Sequence, residues 1–159
     1  MNASLYPTQV GVGVSSACEA VIHSVREVLQ QCTSRRDLVL LKVDFNNAFN
    51  MVSRSTFLGI VREKYPEFFN WINCCYGDHS TLDFQSYPIE SASGVQQGDP
   101  LGPLLFALSL SLLTDKIKAH TSLILNVWYC DDGTLVGTSA DIQKLITSSK
   151  LKVLTWVCS

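Results

Sequence analysis

The stretch Trp128-Tyr129-Cys130-Asp131-Asp132-Gly133 constrains this chain most: two adjacent carboxylates at the end of an apolar run, closed by a glycine. In an extended strand neighbouring side chains point to opposite faces, so Asp131 and Asp132 can act together only if the backbone turns there. The flanks read as strands, Leu123 to Tyr129 leading in and Thr134 to Gly137 leading out. Asp-Gly is the strongest short hairpin signal, because both central residues of a type I′ turn need positive φ. The pattern therefore predicts the tip of a β-hairpin, with Asp132-Gly133 in the turn. An Asp-Asp-Gly tip by itself is ordinarily a solvated turn, and a metal role needs residues from elsewhere in the chain.

Residues 1 to 16 read as irregular, broken by Pro7 and Gly11-Val12-Gly13. From Ala17 to about Gln31, Ala20, Val21, Val25, Val28 and Leu29 keep the spacing of one buried helical face, with Ser16 as N-cap. His23 stands alone on that helix and reads as a core or rim residue, since no ligand partner lies nearby in sequence. Leu38-Val39-Leu40-Leu41-Lys42-Val43 predicts a strand buried on both faces and ending at Asp44. The chain then turns over through Phe45 to Asn50. Ser53 or Ser55 caps a helix to about Lys64, and Pro66 starts another that Gly77 halts.

Leu82-Asp83-Phe84 and Pro88-Ile89-Glu90 form a second hairpin pattern. Gly94 to Pro103 is dense in Gly and Pro and precedes an apolar helix from Leu104 to about Lys118. After the hairpin around Asp131 a helix begins at Ser139 or Asp141, and beyond Lys150 no pattern is clear. The order predicts an α+β fold in a single domain over residues 1 to 159, an antiparallel sheet with helices packed on one face.

Charged residues make up 16% of the chain, where roughly a quarter is usual. So little charge implies apolar faces that something else covers. A net charge of −2 lacks the basic signature of a free-standing nucleic-acid binder, so any basic grip lies elsewhere. The six cysteines show no CxxC and no zinc spacing, which suits reduced thiols of an intracellular protein. Leu104 to Leu113 is too short to span a bilayer, and no basic segment followed by an apolar core opens the chain, so neither a membrane nor a secretory signal is expected.

Asp44 ends a buried strand, where an unpaired carboxylate is costly. If that strand neighbours the hairpin, Asp44, Asp131 and Asp132 gather as three anions that need a divalent cation. Hard oxygen donors favour Mg²⁺ or Mn²⁺ over zinc. Carboxylate-held Mg²⁺ with positions left for water and phosphate describes two-metal phosphoryl transfer. Gln97-Gly98-Asp99-Pro100 reads first as a turn before a helix. Functionally, Gly98 admits a base or sugar close to the backbone, and Gln97 offers both a donor and an acceptor. Phe49 and Tyr129 are core aromatics by default.

Together these stretches resemble the palm of a reverse transcriptase, an RNA-directed DNA polymerase, of the non-LTR retroelement type. The resemblance covers about Gln9 to Lys144. Val43-Asp44-Phe45-Asn46-Asn47-Ala48-Phe49-Asn50 is similar to the first palm motif, Gly94 to Pro103 to the second, and Tyr129-Cys130-Asp131-Asp132 to the third, usually Tyr-x-Asp-Asp. Gly11-Val12-Gly13, Cys18-Glu19-Ala20 and His23 resemble the segment preceding the palm. Residues 1 to about 37 then correspond to a remnant of the fingers and about 38 to 150 to the palm.

The resemblance implies roles. Asp44 and Asp131 hold two Mg²⁺ or Mn²⁺ ions, assisted by Asp132 and the backbone carbonyl of Phe45. Phe49 is a steric gate against the ribose 2′-hydroxyl, Gln97 and Gly98 line the nucleotide and template pocket, and Tyr129 packs beside the primer end. The implied partners are an RNA template, a DNA primer and deoxynucleoside triphosphates, in the cytoplasm or nucleus.

Cys130 is a small-residue variant of the third motif. The basic residues of the fingers, the lysine-bearing motif and the thumb have no counterpart in the chain and are expected in a longer polyprotein, so the fragment alone is expected to be weakly active or inactive. Val153 to Ser159 match nothing in the family pattern. Two other readings stay open, an RNA-dependent RNA polymerase palm, against which the bulky Phe49 argues, and a non-catalytic retroelement remnant serving as an interaction module.

Overall fold

The computed structural model describes residues 5–148 and 153–155; residues 1–4, 149–152 and 156–159 lie outside them, so of the tail Val153 to Ser159 only 153–155 are described. In chain order the elements are α1 (Ala17–Gln31), β1 (Leu38–Val43), α2 (Ala48–Met51), α3 (Arg54–Lys64), α4 (Pro66–Tyr76), β2 (Ser80–Phe84), β3 (Tyr87–Ser91), α5 (Gly102–His120), β4 (Leu125–Tyr129), β5 (Asp132–Thr138), α6 (Ser139–Ser148) and β6 (Val153–Thr155). The fold is mixed α and β with antiparallel sheets, as the element order predicts. Two compact units divide the chain: residues 1–46 with 111–159, and residues 47–110.

The first unit is built on a four-stranded sheet of order β4-β5-β1-β6, with every neighbouring pair antiparallel. Its core is Leu41 and Val43 from β1, Val127 and Trp128 from β4, and Leu135 and Val136 from β5, all buried. Helix α1 packs on β4, and α6 packs on β5 and β1. The N-terminal stretch is less irregular than its sequence suggests. Val10 donates its N–H to the Trp128 carbonyl at 2.8 Å, and Trp128 donates its own N–H to the Thr8 carbonyl at 2.7 Å. Residues 8 to 10 thus cap the edge of β4, satisfying backbone groups that an open edge leaves unpaired.

Several local expectations change. The strand buried on both faces is β5, where Gly133 to Gly137 are all buried; β1 leaves Lys42 exposed, so at that strand one face of the sheet is uncovered. Ser16 does not cap α1: it sits at φ 50° and makes no side-chain capping bond. The predicted buried face of α1 is only partly covered, with Val21, Val25 and Val28 half-buried and Ala20 and Leu29 exposed. Helix α6 begins at Ser139, one of the two expected starts, and Thr138 caps it, its hydroxyl accepting the Asp141 N–H at 3.2 Å and donating to the Asp141 carboxylate at 3.0 Å. The segment beyond Lys150 contributes β6, paired antiparallel to β1.

The second unit holds α2, α3, α4, the β2-β3 hairpin and the start of α5. Ser53 caps α3 by accepting the Thr56 N–H at 3.3 Å, and Pro66 opens α4, where its missing N–H costs nothing. Phe57, Val61, Ile72, Tyr76, Leu105 and Leu108 are among its most deeply buried residues, and Phe57 meets Tyr76 edge to face at 5.3 Å. The β2-β3 turn has positive φ at both Gln85 (52°) and Ser86 (68°), the pattern expected of type I′. Among the described residues no helix is long and apolar enough to cross a membrane.

Candidate active site

The register of the sheet decides where the carboxylates go. Val43 pairs with Gly133 and Tyr129 pairs with Asp132, so Asp44 leaves β1 at the end of the sheet where the β4-β5 hairpin turns. Asp44 and Asp132 are exposed and Asp131 is half-buried. Burial pushes the Asp131 carboxyl above its ordinary value, and the negative charges of Asp132 and Asp44 add to the effect. Residues 87 positions apart in sequence therefore feel one another's charge at this sheet end.

The turn lies two residues earlier than Asp-Gly predicts. Its central pair is Cys130-Asp131, and Cys130 alone of the four turn residues has positive φ, at 51°. Gly133 instead lies in β5 under the Trp128 ring, where an added Cβ would sit 2.7 Å from two indole carbons. Packing, not turn geometry, is what requires glycine there. A non-glycine residue at positive φ is held only if its surroundings fix it, and the buried Gln9 does so. Its Nε2 donates to the Cys130 carbonyl at 2.8 Å, while its Oε1 accepts the N–H of Cys130 at 2.9 Å and of Gly11 at 2.9 Å.

The donors at this end are hard carboxylate oxygens. The Cys130 thiol, raised above its usual range by burial and then by Asp131 and Asp132, turns toward the Gly11 carbonyl at 3.7 Å. An all-oxygen anionic set fits Mg²⁺ or Mn²⁺ rather than a thiophilic ion. Among the described residues, however, no three His, Cys, Asp or Glu side chains stand close enough together to form a ligand group. Like charges gain nothing by approaching one another on their own, and the three carboxylates share a sheet end without closing into a cage.

The aromatic neighbours are fixed in different ways. Phe45 stacks on Trp128 with ring centroids 5.8 Å apart and planes 19° apart, which holds the backbone after Asp44 against the hairpin. Tyr129 is exposed, and a hydrogen bond with Cys18, then the Cys18 and Cys130 charges, raise its hydroxyl pKa.

Phe49, Gln97 and Gly98 belong to the second unit. Phe49 is half-buried and stacked on Phe106, centroids 4.7 Å apart at 29°. Gln97 and Gly98 are exposed, and Gly98 takes a φ of 89° with open space where a Cβ would stand.

The loop carrying Gln97 and Gly98 is held from beneath by residues that no sequence pattern marks. Buried Arg54 donates to Gly94 O at 3.0 Å, Ser91 O at 2.7 Å, Ser91 Oγ at 2.8 Å and Ser93 O at 3.3 Å. Its guanidinium also lies 5.4 Å from the Tyr76 ring centre. The Tyr76 hydroxyl donates to Asp99 Oδ2 and accepts the Gln96 N–H at 3.2 Å, and Asp99 Oδ1 accepts the Leu101 N–H at 2.8 Å. Burial, then the Asp99 bond, push Tyr76 up to about 12. An arginine at a helix start and a tyrosine at a helix end look like surface residues in sequence. Only the fold brings them under one loop.

No curated protein sequence matches the chain. A family model described as reverse transcriptase (RNA-dependent DNA polymerase) matches residues 7–157, further toward the C-terminus than the motifs alone reach. With an antiparallel sheet presenting paired aspartates at a hairpin and that model spanning nearly its whole length, the chain belongs to the reverse transcriptase (RNA-dependent DNA polymerase) family.

Proposed function

We propose that the chain is the catalytic portion, a fingers remnant at about 1–37 and the palm at about 38–150, of an RNA-directed DNA polymerase of the non-LTR retroelement type. It works intracellularly inside a longer polyprotein that supplies the remaining fingers and the thumb. The observation that carries the reading is the register Val43 to Gly133 and Tyr129 to Asp132, which sets Asp44 and the Asp131-Asp132 pair at one sheet end.

In this reading Asp44 and Asp131 hold two Mg²⁺ or Mn²⁺ ions, with Asp132 and the Phe45 carbonyl as further donors. Such ions, when bound, acidify the primer 3′-hydroxyl and offset the charge of the triphosphate. Gln9 keeps the Cys130-Asp131 turn in one geometry, so that the carboxylates need little rearrangement. Tyr129 supports the primer end, Gln97 and Gly98 meet the nucleotide and the RNA template, and Phe49 disfavours a ribose 2′-hydroxyl.

Calorimetric titration of the chain with Mn²⁺ tests the site: uptake that Asp44→Asn and Asp131→Asn each abolish is expected. Primer extension on RNA by a version extended to include fingers and thumb tests the reaction, with both substitutions expected to silence it. Extension that persists in both variants removes the assignment. A second reading, the non-catalytic remnant, is favoured by the absence of a three-ligand group among the described residues. Its signature is no metal uptake by the unaltered chain.

A further inference from the structure

We infer that the pocket between α4 and the Gln96–Asp99 loop seats one unpaired nucleobase, with the Trp71 indole as its stacking wall. The inference rests on the nucleic-acid reading above and adds a residue that none of the three polymerase motifs contains. The pocket has a volume of about 360 Å³ and is lined by Trp71, Ile72, Gln97, Gly98, Asp99 and Leu101 among others, within the span of small-ligand sites, roughly 300–1,000 Å³.

Its chemistry selects a neutral, flat ligand. No Lys, Arg or His lines it, so nothing there compensates a phosphate. Its one carboxylate, Asp99, is engaged by the Tyr76 hydroxyl and the Leu101 N–H. Gln96 and Gln97, both exposed, add side-chain amides to the lining, and an amide can donate and accept at once along the edge of a base. Gly98, with its open side, leaves room for a ring to approach the backbone.

The aromatic wall is the second strand of the argument. Helix α4 buries Ile72 and Tyr76 yet leaves Trp71 58% exposed and Phe68, one turn earlier, 45% exposed. Residues three apart share a helix face, so two large rings stand in water on one side of α4, and Trp71 of the two lines the pocket. Base stacking on aromatic side chains tolerates any sequence, which suits a strand being read one position at a time.

The test uses the 159-residue chain in EDTA and an oligo(dT) of about ten nucleotides. Tryptophan emission should be quenched saturably. An oligonucleotide of the same length without bases should bind far more weakly. Trp71→Ala should weaken oligo(dT) binding roughly five- to hundredfold, and Trp71→Phe, which keeps a stacking ring, should retain most of the affinity with less quenching.

Equal binding of the baseless strand, or unchanged affinity in Trp71→Ala, overturns the inference. So does sedimentation showing that the face instead pairs two copies of the chain, with Trp71→Ala restoring the monomer. Mn²⁺ uptake measured on the same protein variants in EDTA-free buffer separates the two proposals. Uptake through Asp44 and Asp131 without base binding sinks only the pocket, whereas base binding through Trp71 without uptake sinks only the catalytic site.

Discussion

Gln9 and Cys130 lie 121 positions apart and exchange two hydrogen bonds, the glutamine amide donating to the Cys130 carbonyl at 2.8 Å and accepting its N–H at 2.9 Å. This is the pairing that a neighbouring strand gives a residue in a ladder, supplied here by one side chain. It matters because Cys130 sits at φ 51°, a conformation that disfavours a residue with a Cβ, next to the carboxylate on which the proposed chemistry depends.

Gln9→Ala should therefore destabilise the first unit by about 1–3 kcal/mol for the backbone groups left unpaired. Urea denaturation followed by circular dichroism measures it as a lower midpoint with unchanged slope. A midpoint equal to that of the unaltered chain would mean that the turn holds itself.

Arg54 and Tyr76 make a parallel case in the second unit. Arg54→Ala strands the carbonyls of Gly94, Ser91 and Ser93 and should cost on the order of 3 kcal/mol. Lysine should restore little of it, since an ammonium cannot reproduce the guanidinium fork.

Tyr76 adds a pH signature. Its folded-state pKa is pushed up to about 12 from 10.0, so the folded chain keeps a proton that the unfolded chain loses first. The sign follows: stability is unaffected below pH 10 and falls as pH rises from there toward 12. Urea midpoints across that range should drop more steeply for the unaltered chain than for Tyr76→Phe. Parallel curves would show that the hydroxyl is not held as described.

Much of this was legible in the sequence because local signals agreed. Ala17 to Gln31 and Leu38 to Val43 are bounded as their periodicity predicts, and Ser53, Pro66 and Gly77 punctuate the helices in the expected way. The hairpin around Asp131 was legible too, but not its turn. Asp-Gly is a turn signal only when nothing else needs the glycine, and here Trp128 needs it. The supports at Gln9, Arg54 and Tyr76 carry no local pattern, because their partners are 20 to 121 positions away. The exposed faces of α1 and α4 follow the same logic: periodicity identifies an apolar stripe and leaves open what covers it.

Gly133→Ala tests the packing explanation of that glycine. The new Cβ would stand 2.7 Å from the Trp128 ring, and Trp128 is fully buried, so the indole or the strand must shift. Overpacking of this kind typically costs about 1–3 kcal/mol. Lower stability together with a red-shifted emission is expected, because Trp128 would be displaced toward water. Full stability with unchanged emission would return Gly133 to the role of a turn residue.

Phe49 and Phe106 allow the proposed sugar discrimination to be separated from packing. Their rings stack at 4.7 Å and 29°, so Phe106, itself buried, fixes the height and tilt of the ring that would meet a 2′-hydroxyl. Phe49→Val should lose roughly 0.5–1.5 kcal/mol of stacking and, in a version extended with fingers and thumb segments, raise ribonucleotide incorporation relative to deoxynucleotide by about tenfold or more, a change of about 1.4 kcal/mol in transition-state energy. Phe106→Leu leaves the gate residue present but loosens its seat, and should shift the same ratio by a smaller factor. Single-nucleotide kcat/KM values for the two substrate classes measure both effects. If the ratio stays constant in Phe49→Val while stability falls, the ring is a core residue of the second unit and the discrimination lies elsewhere.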